Sequence, residues 1–307
     1  MKVKRLVLFV IPIFPSISYL YFSNFDKKLY VATFFYFLAL FISQKYFEKN
    51  SLNYLNDIYI NQKIFYPILL IFLIITQNRY LNIETITWDV SSYLVASNEI
   101  KYGFLPLETQ WESKGPLTIY VYYFLSYISG NNYVLFKLLN DLILFFTILI
   151  FISITKMYNS KQSKQYFSAI LLTSIFSIQW FVSEYTEFFC LPLIGIANYL
   201  HLKNKEQNKK YIGFIFGISF LINQGSVLFF LPIVIDYFLD NLTNKKIVAT
   251  SVIKYSFWFS LPSLFFIFIY WKNDLLEVLV ANYFDIPLGY VGENASSFYE
   301  LRVFLRE

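Results

Sequence analysis

A polar stretch at residues 81–123 interrupts a chain that is otherwise a succession of apolar segments. Within it lie Asp89, Glu112 and Lys114, whose side chains are of the types that perform proton and phosphate chemistry. A carboxylate can take a proton from a hydroxyl group, and a lysine ammonium can neutralise a phosphate as a point charge. The same residues also have ordinary structural uses. Asp89 suits the start of a helix, and Glu112 with Lys114 suits a surface ion pair of small energetic value.

A second acidic segment, VSEYTEFF, carries Glu184 and Glu187. It is either a solvated turn between two apolar segments or the source of a second carboxylate, Glu187, for the same site as Asp89. Two carboxylates can hold a divalent cation through oxygen ligands or bind substrate hydroxyls. The chain has one cysteine and one histidine, which excludes a metal centre built from several of either. Any metal would therefore be held by carboxylates.

The elements that position these residues are predicted to be membrane helices. Apolar residues make up 57% of the chain and charged residues only 15%, with a mean hydropathy of +0.50, which is typical of a polytopic membrane protein. The sequence predicts an all-α fold with about nine transmembrane helices. These are expected at residues 5–22, 29–44, 64–78, 133–155, 166–183, 188–202, 211–224, 227–240 and 248–271. Residues 5–22 are interpreted as a span because no small-residue cleavage site follows them.

The stretch 116–129 is apolar but short and rich in tyrosine, so it is predicted to lie in the membrane interface. With this placement, most lysines and arginines fall in loops that the positive-inside rule assigns to the cytoplasm. The loop at 79–132 then faces outward, together with the segment that carries Glu184 and Glu187. The cations lie between spans and do not line one face, which argues against a nucleic-acid partner.

Polar residues also occur inside the predicted spans. Lys137 and Asp141 are four residues apart, one helical turn, and are expected to neutralise each other, with proton transfer as the alternative. Asn223 and Gln224 either contact the headgroup of a lipid-linked substrate or form a turn between two spans.

Several stretches together resemble one family of enzymes. Asp89 is followed by Tyr93, by KYGFLPLE and by a charged-Lys-x-Pro step in ESKGPLTIYVYYFL. Three later stretches, SEYTEFFCLPLIGIANYL, GISFLINQGSVLFFLPIVI and LLEVLVANYFDIPLGYVG, extend the pattern. Over most of residues 64–292, the chain resembles the GT-C membrane glycosyltransferases, most of all the protein O-mannosyltransferase and lipid A aminoarabinose transferase group. That family usually has two prolines after the lysine, where this chain has Gly115 and Pro116.

The resemblance implies an inverting enzyme that transfers a sugar from a polyprenyl-phosphate donor to a lipid, glycan or protein hydroxyl. It implies that Asp89 is the catalytic base at the outer face of a bacterial inner membrane, where the donor headgroup and membrane lipids are the partners. The substrate-binding residues that it implies are Lys114, Glu112, Glu187, Tyr93 and Trp88. No cofactor is implied with certainty, and a divalent cation held by Asp89 and Glu187 is an option that the resemblance leaves open.

The predicted organisation has three parts. Residues 1–63 hold two transmembrane helices and a cytoplasmic loop, and residues 64–271 form the GT-C-like core with its outer catalytic loop at 79–132. Residues 272–307 form an outer segment, which in the family opens a longer outer region. Two other function classes stay open, namely a flippase or other transporter of lipid-linked sugars and a non-catalytic membrane scaffold.

Overall fold

The computed structural model describes residues 61–77, 88–110, 112, 114–158, 162–176, 183–240 and 245–286. This part of the chain is helical, without a β-strand, which confirms the all-α prediction for it. Its α-helices are α1 (Gln62–Gln77), α2 (Trp88–Glu99), α3 (Pro116–Ile128), α4 (Tyr133–Met157), α5 (Gln162–Phe176), α6 (Thr186–Ile222), α7 (Leu231–Asp240), α8 (Lys245–Lys272) and α9 (Leu276–Val280). Short 3₁₀ segments at Ile100–Tyr102 and Gln224–Phe230 and a π-helical turn at Ala281–Asp285 complete the described elements.

The helices follow the predicted apolar segments closely. The segments predicted at 188–202 and 211–224 form the two halves of α6, whose backbone leaves helical geometry at Asn204. The Asn204 side chain accepts a hydrogen bond from the Gln207 N–H at 3.2 Å and so caps the second half. The segment predicted at 227–240 is instead the 3₁₀ segment followed by α7. The spans predicted at 5–22 and 29–44 lie outside the described residues.

Two helices in the described part are long and apolar enough to cross a membrane, namely Tyr133–Met157 in α4 and Val248–Lys272 in α8. Each has 25 residues. A helix of that length extends about 37 Å, which exceeds the roughly 30 Å of a hydrocarbon core. The helix α1 and the segment Gln224–Tyr237 are apolar but shorter. The prediction of about nine spans is therefore not confirmed.

Several helices carry large apolar side chains on their exposed faces. In α1 these are Ile64, Ile68, Ile71 and Ile75, and in α8 they include Ile253, Phe257, Phe265, Phe268 and Trp271. Only 11% of the apolar window of α8 is buried. Both helices therefore present apolar surface outward as well as inward.

The chain divides into two compact units, and the division cuts across the predicted core at 64–271. The first unit contains α1, α4, α5 and the first residues of α6. Its interior is formed by Leu69, Leu73, Leu144 and Ile148, and the ring of Phe65 stacks on Tyr166 with centroids 3.8 Å apart. This packing holds α1 and α5 together.

The second unit contains α2, α3, the remainder of α6, and α7 to α9. Here α2 and α3 meet through Tyr93 and Tyr122, whose ring centroids are 5.1 Å apart. A cluster of buried residues joins the loop after α2 to the ends of α6, α8 and α9. Its members are Leu107, Leu221, Phe266, Tyr270, Leu279 and Tyr283.

Two glycines in the sequence GFIFG bring α6 and α8 into close contact. A Cβ atom on Gly213 would lie 2.8 Å from the Tyr255 carbonyl oxygen, and one on Gly217 would lie 2.2 Å from the Phe259 oxygen. Small residues four positions apart allow two helices to approach backbone to backbone, which is the usual packing device of helices in lipid. The sequence analysis did not identify this motif.

The start of α3 is fixed by an equally close contact. Gly115 is extended, and Pro116 occupies the first helical position, where its missing N–H costs nothing. The Gly115 N–H donates to the Ile222 carbonyl oxygen at 3.2 Å, and the Thr118 hydroxyl donates to the same oxygen at 2.6 Å. A Cβ at position 115 would lie 1.8 Å from the Leu221 oxygen. Glycine is therefore required at position 115.

Replacement of Gly217 by alanine tests the α6–α8 contact. In an exposed helix the change stabilises by up to about 1 kcal/mol. Here the added methyl must push two backbones apart, so we expect a loss of about 1–3 kcal/mol, measured as thermal unfolding of the detergent-solubilised protein. Gly225→Ala is the control, because its nearest atom would be a side-chain oxygen of Asn223 at 3.2 Å. A Gly217→Ala variant more stable than wild type would contradict the packing described.

Candidate functional site

Asp89, the predicted base, lies in the first turn of α2 and is exposed. A negative charge is favoured at this end of a helix by the helix dipole. The preceding residue, Trp88, is 87% exposed, which leaves its ring free to contact a ligand at the same edge. The position suits both uses that the sequence suggests for Asp89, namely stabilisation of the helix start and reaction with a bound substrate.

Glu112 approaches the same turn of α2. The Ser92 hydroxyl lies 2.8 Å from the Asp89 carbonyl oxygen and 3.4 Å from Glu112 Oε2. Ser92 therefore brings the Glu112 carboxylate to the first turn of α2, although the two residues are 20 positions apart. Glu112 is half-buried. The structure thus brings together two of the predicted site residues within one unit.

Lys114 is also half-buried and immediately precedes Gly115, the residue that fixes the start of α3. The position of the Lys114 backbone is therefore set by the contact between Gly115 and the end of α6. Lys114 keeps its predicted use as a phosphate contact, which stays a prediction.

Tyr93 is 3% exposed, and its ring packs against Tyr122 in the interior of the second unit. Little of its ring surface remains for stacking on a sugar in this arrangement. In the structure Tyr93 joins α2 to α3. A direct contact of Tyr93 with substrate stays a prediction.

The loop between α2 and α3 is tied down at several points. The Glu108 carboxylate accepts a hydrogen bond from the Leu105 N–H at 2.8 Å, so Glu108 caps a turn within the loop. Leu107 has a φ of +68°, which is costly for a residue with a side chain, and its side chain is buried. The Tyr270 hydroxyl donates to the Pro106 carbonyl oxygen. These contacts give the loop that carries Glu112 one defined path.

Asn282, in the π-helical turn after α9, was not found by sequence reasoning. It is 8% exposed, and its Oδ1 accepts a hydrogen bond from the Glu112 N–H at 3.3 Å. Its neighbour Tyr283 donates to the Phe220 carbonyl oxygen, and burial raises the pKa of the Tyr283 phenol, so this donor stays protonated. The only signal in the sequence was that both residues lie in LLEVLVANYFDIPLGYVG, a stretch matched as a whole.

Asn223 and Gln224 form a turn, which was one of the two interpretations of their sequence. The Asn223 side chain accepts from the Gly225 N–H at 2.9 Å and caps the 3₁₀ segment. The Gln224 amide donates to the Tyr283 carbonyl oxygen at 3.1 Å. Both side chains therefore support the same part of the second unit as Asn282.

The predicted pairing of Lys137 with Asp141 is wrong. Lys137 donates to Glu184 Oε1 at 3.1 Å, and Asp141 instead accepts from the Ser183 hydroxyl at 2.7 Å. Tyr133 adds a further hydrogen bond to Glu184 at 3.1 Å. The helical spacing allowed the first pairing, but the turn before α6 brings a second carboxylate from 47 residues away.

Glu184 is consequently not part of a solvated turn, since it is fully buried. Its surroundings are the ends of several helices in the first unit. The Gln77 side chain, at the end of α1, accepts from the Ser183 N–H at 3.2 Å and donates to the Phe176 carbonyl oxygen. The cluster Tyr133, Lys137, Asp141, Ser183 and Glu184 is therefore a structural polar core.

Glu187 lies in the first turn of α6, where it is exposed and accepts a hydrogen bond from the Thr186 hydroxyl at 3.2 Å. It belongs to the first unit and Asp89 to the second, so a cation shared by the two stays a prediction. Among the described residues there is no group of three or more metal-ligating side chains.

A second polar cluster in the second unit joins α6, α7 and α8. The Lys209 ammonium donates to Glu206, to the Tyr237 hydroxyl at 2.7 Å and to the Ser251 hydroxyl at 2.8 Å. The hydrogen bond from Lys209 lowers the pKa of the Glu206 carboxyl below its usual range. Because all three ammonium protons of Lys209 are used, the cluster fastens the helices together.

The Lys137–Glu184 pair can be tested by a double-mutant cycle. Removing one partner, in Lys137→Met or in Glu184→Leu, leaves the other buried charge unpaired and is expected to cost about 3–5 kcal/mol in unfolding free energy. The double variant is expected to lose less than the sum of the two, because no lone charge remains. Thermal unfolding in detergent measures all three. Strictly additive losses would contradict the pairing.

No family model, curated protein or solved structure matches the chain. The features that bear on its function are the positions of Asp89, Glu112 and Lys114 and the presence of helices apolar enough to span a membrane.

Proposed function

We propose that this protein is an integral membrane glycosyltransferase that transfers a sugar from a polyprenyl-phosphate donor to a hydroxyl group of a lipid, glycan or protein. The observation that carries the proposal is that the Ser92 hydroxyl, which donates to the Asp89 backbone carbonyl oxygen at 2.8 Å, lies 3.4 Å from the Glu112 carboxylate, so that a half-buried carboxylate sits at the turn of α2 that carries the exposed Asp89. An acidic edge of this kind, in a chain with helices long and apolar enough to span a membrane, suits chemistry on a polar headgroup anchored in lipid.

The membrane placement is supported by the helices themselves. Both α4 and α8 contain 25-residue segments of sufficient length and apolarity, and α8 exposes apolar side chains along most of its length. Exposed apolar surface of this extent is unfavourable in water and favourable in lipid. In this proposal the site faces the outside of a bacterial inner membrane, as the distribution of lysines and arginines favours.

In the proposed reaction, the Asp89 carboxylate takes the proton from the acceptor hydroxyl as its oxygen attacks the anomeric carbon of the donor sugar. The bond between that carbon and the phosphate oxygen breaks on the opposite face, so the configuration inverts. The departing polyprenyl phosphate keeps the bonding electrons, and Lys114 neutralises its charge. Within the second unit, Trp88 and Glu112 are assigned to substrate binding in this scheme.

The proposal does not require a metal ion. Transfer is therefore expected to continue when EDTA is added to isolated membranes. Loss of transfer in EDTA and its recovery with Mg²⁺ would instead bring a divalent cation into the mechanism, held by carboxylate oxygens.

A transporter of lipid-linked sugars is the second candidate, and the buried Lys137–Glu184 pair is the observation that favours it. Intramembrane charges often mark transport pathways. Here, however, Lys137, Glu184 and Asp141 are hydrogen-bonded to neighbouring side chains and buried, as expected for a structural core. A non-catalytic scaffold is the third candidate and predicts no effect of any change at Asp89.

Replacement of Asp89 by asparagine separates these classes. Membranes that contain the protein are incubated with a panel of radiolabelled polyprenyl-phosphate hexoses and pentoses, and transfer to endogenous acceptors is counted. Loss of the base is expected to lower transfer by about 10²–10⁴-fold with unchanged expression. Glu99→Gln, at the other end of α2, is the matched control and is expected to retain transfer. Equal activity of Asp89→Asn and wild type would exclude the proposed mechanism.

A further inference from the structure

Asn282 has every polar group of its side chain engaged in the second unit. Its Oδ1 accepts from the Glu112 N–H at 3.3 Å, while its Nδ2 donates to the Val278 oxygen at 3.0 Å and to the Leu107 oxygen at 3.4 Å. An asparagine amide offers a carbonyl oxygen and two N–H donors, so both polar atoms of the side chain have partners and both N–H groups are used. The bond to Val278 anchors the side chain to its own helix, and the other two bonds reach the loop between α2 and α3.

The two loop contacts bracket the part of the loop that leads to Glu112. Leu107 is the residue with positive φ, and its carbonyl oxygen is held by Asn282 while its side chain is buried. Five residues later, Asn282 holds the backbone N–H of Glu112. The buried amide of Asn282 therefore contacts the loop backbone at two points, Leu107 and Glu112.

The position of Asn282 is itself fixed by its surroundings. It lies in a π-helical turn, Ala281–Asp285, a local widening that is frequent at functional sites. The next residue, Tyr283, donates to the Phe220 carbonyl oxygen at the end of α6, and Gln224 donates back to Tyr283. The turn therefore cannot slide without breaking contacts to α6 and to the segment that follows it.

We propose that Asn282 is a positioning residue that acts through Glu112. It holds the Glu112 backbone so that the carboxylate stays at Ser92, beside the first turn of α2, and binds a substrate hydroxyl there. This inference rests on the proposed function, because it assigns a use to Glu112 in the same reaction. Asn282 itself touches no substrate.

A double-mutant cycle on transfer activity tests the inference. Glu112→Gln is expected to lower kcat/KM by about 10- to 100-fold, and Asn282→Ala by about 10-fold, because misplacement of a binding group by about 1 Å has effects of that size. If Asn282 acts through Glu112, the double variant is no less active than Glu112→Gln alone. A purely structural use of Asn282 would make the two losses multiply, and this result would overturn the inference.

Asn282→Asp serves if Asn282→Ala does not fold, since it keeps the volume and the acceptor for Glu112 but turns an oxygen toward the carbonyls of Val278 and Leu107. Asn273 provides the matched control. Its side chain donates to the Ile269 oxygen at 2.8 Å, the same four-residue bond within a helix that Asn282 makes to Val278. Asn273→Ala is expected to retain transfer within twofold, and a tenfold loss there would show that the assay reports general destabilisation, which overturns the assignment.

Amide hydrogen exchange supplies a readout that does not depend on activity. In Asn282→Ala the peptide that contains Glu112 is expected to exchange at least tenfold faster than in wild type, and in Asn273→Ala at the wild-type rate. Unchanged exchange in Asn282→Ala would overturn the positioning. The two proposals can fail separately. Full transfer by Asp89→Asn would exclude the proposed function. If Asp89→Asn loses transfer but the activity losses of Asn282→Ala and Glu112→Gln multiply in the double variant, only the inference about Asn282 is excluded.

Discussion

The backbone contact between Gly115 and the end of α6 is the constraint on which the polar edge of the second unit depends. The Gly115 N–H and the Thr118 hydroxyl share the Ile222 oxygen, and no side chain fits between position 115 and Leu221. Because this contact fixes the start of α3, it also fixes the backbone of Lys114, the residue before Gly115. The loop from α2 must end at that point. Loss of this contact would free the loop even if every helix remained intact.

The loop then relies on side chains distant in sequence. Tyr270 holds Pro106, Asn282 holds Leu107 and Glu112, and Ser92 meets the Glu112 carboxylate from α2. The polar groups that fix the loop are mostly buried, whereas Asp89 and Trp88 are exposed beside it. Rigid support beneath an accessible acidic edge is the arrangement expected of a site that must orient a reactive group without covering it.

Sequence reasoning located most of the described helices because apolar runs are local signals. It anticipated that Asp89 lies at a helix start and that Asn223–Gln224 can be a turn. It failed where the partner of a residue lies far along the chain, as for Lys137, whose nearby candidate Asp141 was displaced by Glu184. The same limit hid Asn282, because its hydrogen bond to Glu112 spans 170 positions. The close contact of Gly213 and Gly217 with α8 does have a local signal, the spacing of two glycines four positions apart, which the predictions did not use. Of the nine predicted spans, the described residues contain two helices long and apolar enough to cross a membrane, so that the number of spans stays a prediction.

The separation of Lys137 from Glu184 has a consequence for biogenesis. Under the proposed membrane placement, the ribosome delivers α4 before the carboxylate that pairs with its lysine, because Glu184 lies 47 positions after Lys137. A buried ammonium needs a counter-charge in hydrocarbon, and until Glu184 is synthesised the carboxylate on the same helix is Asp141, one turn away. The polar core of the first unit is therefore completed only after the start of α6 has been synthesised.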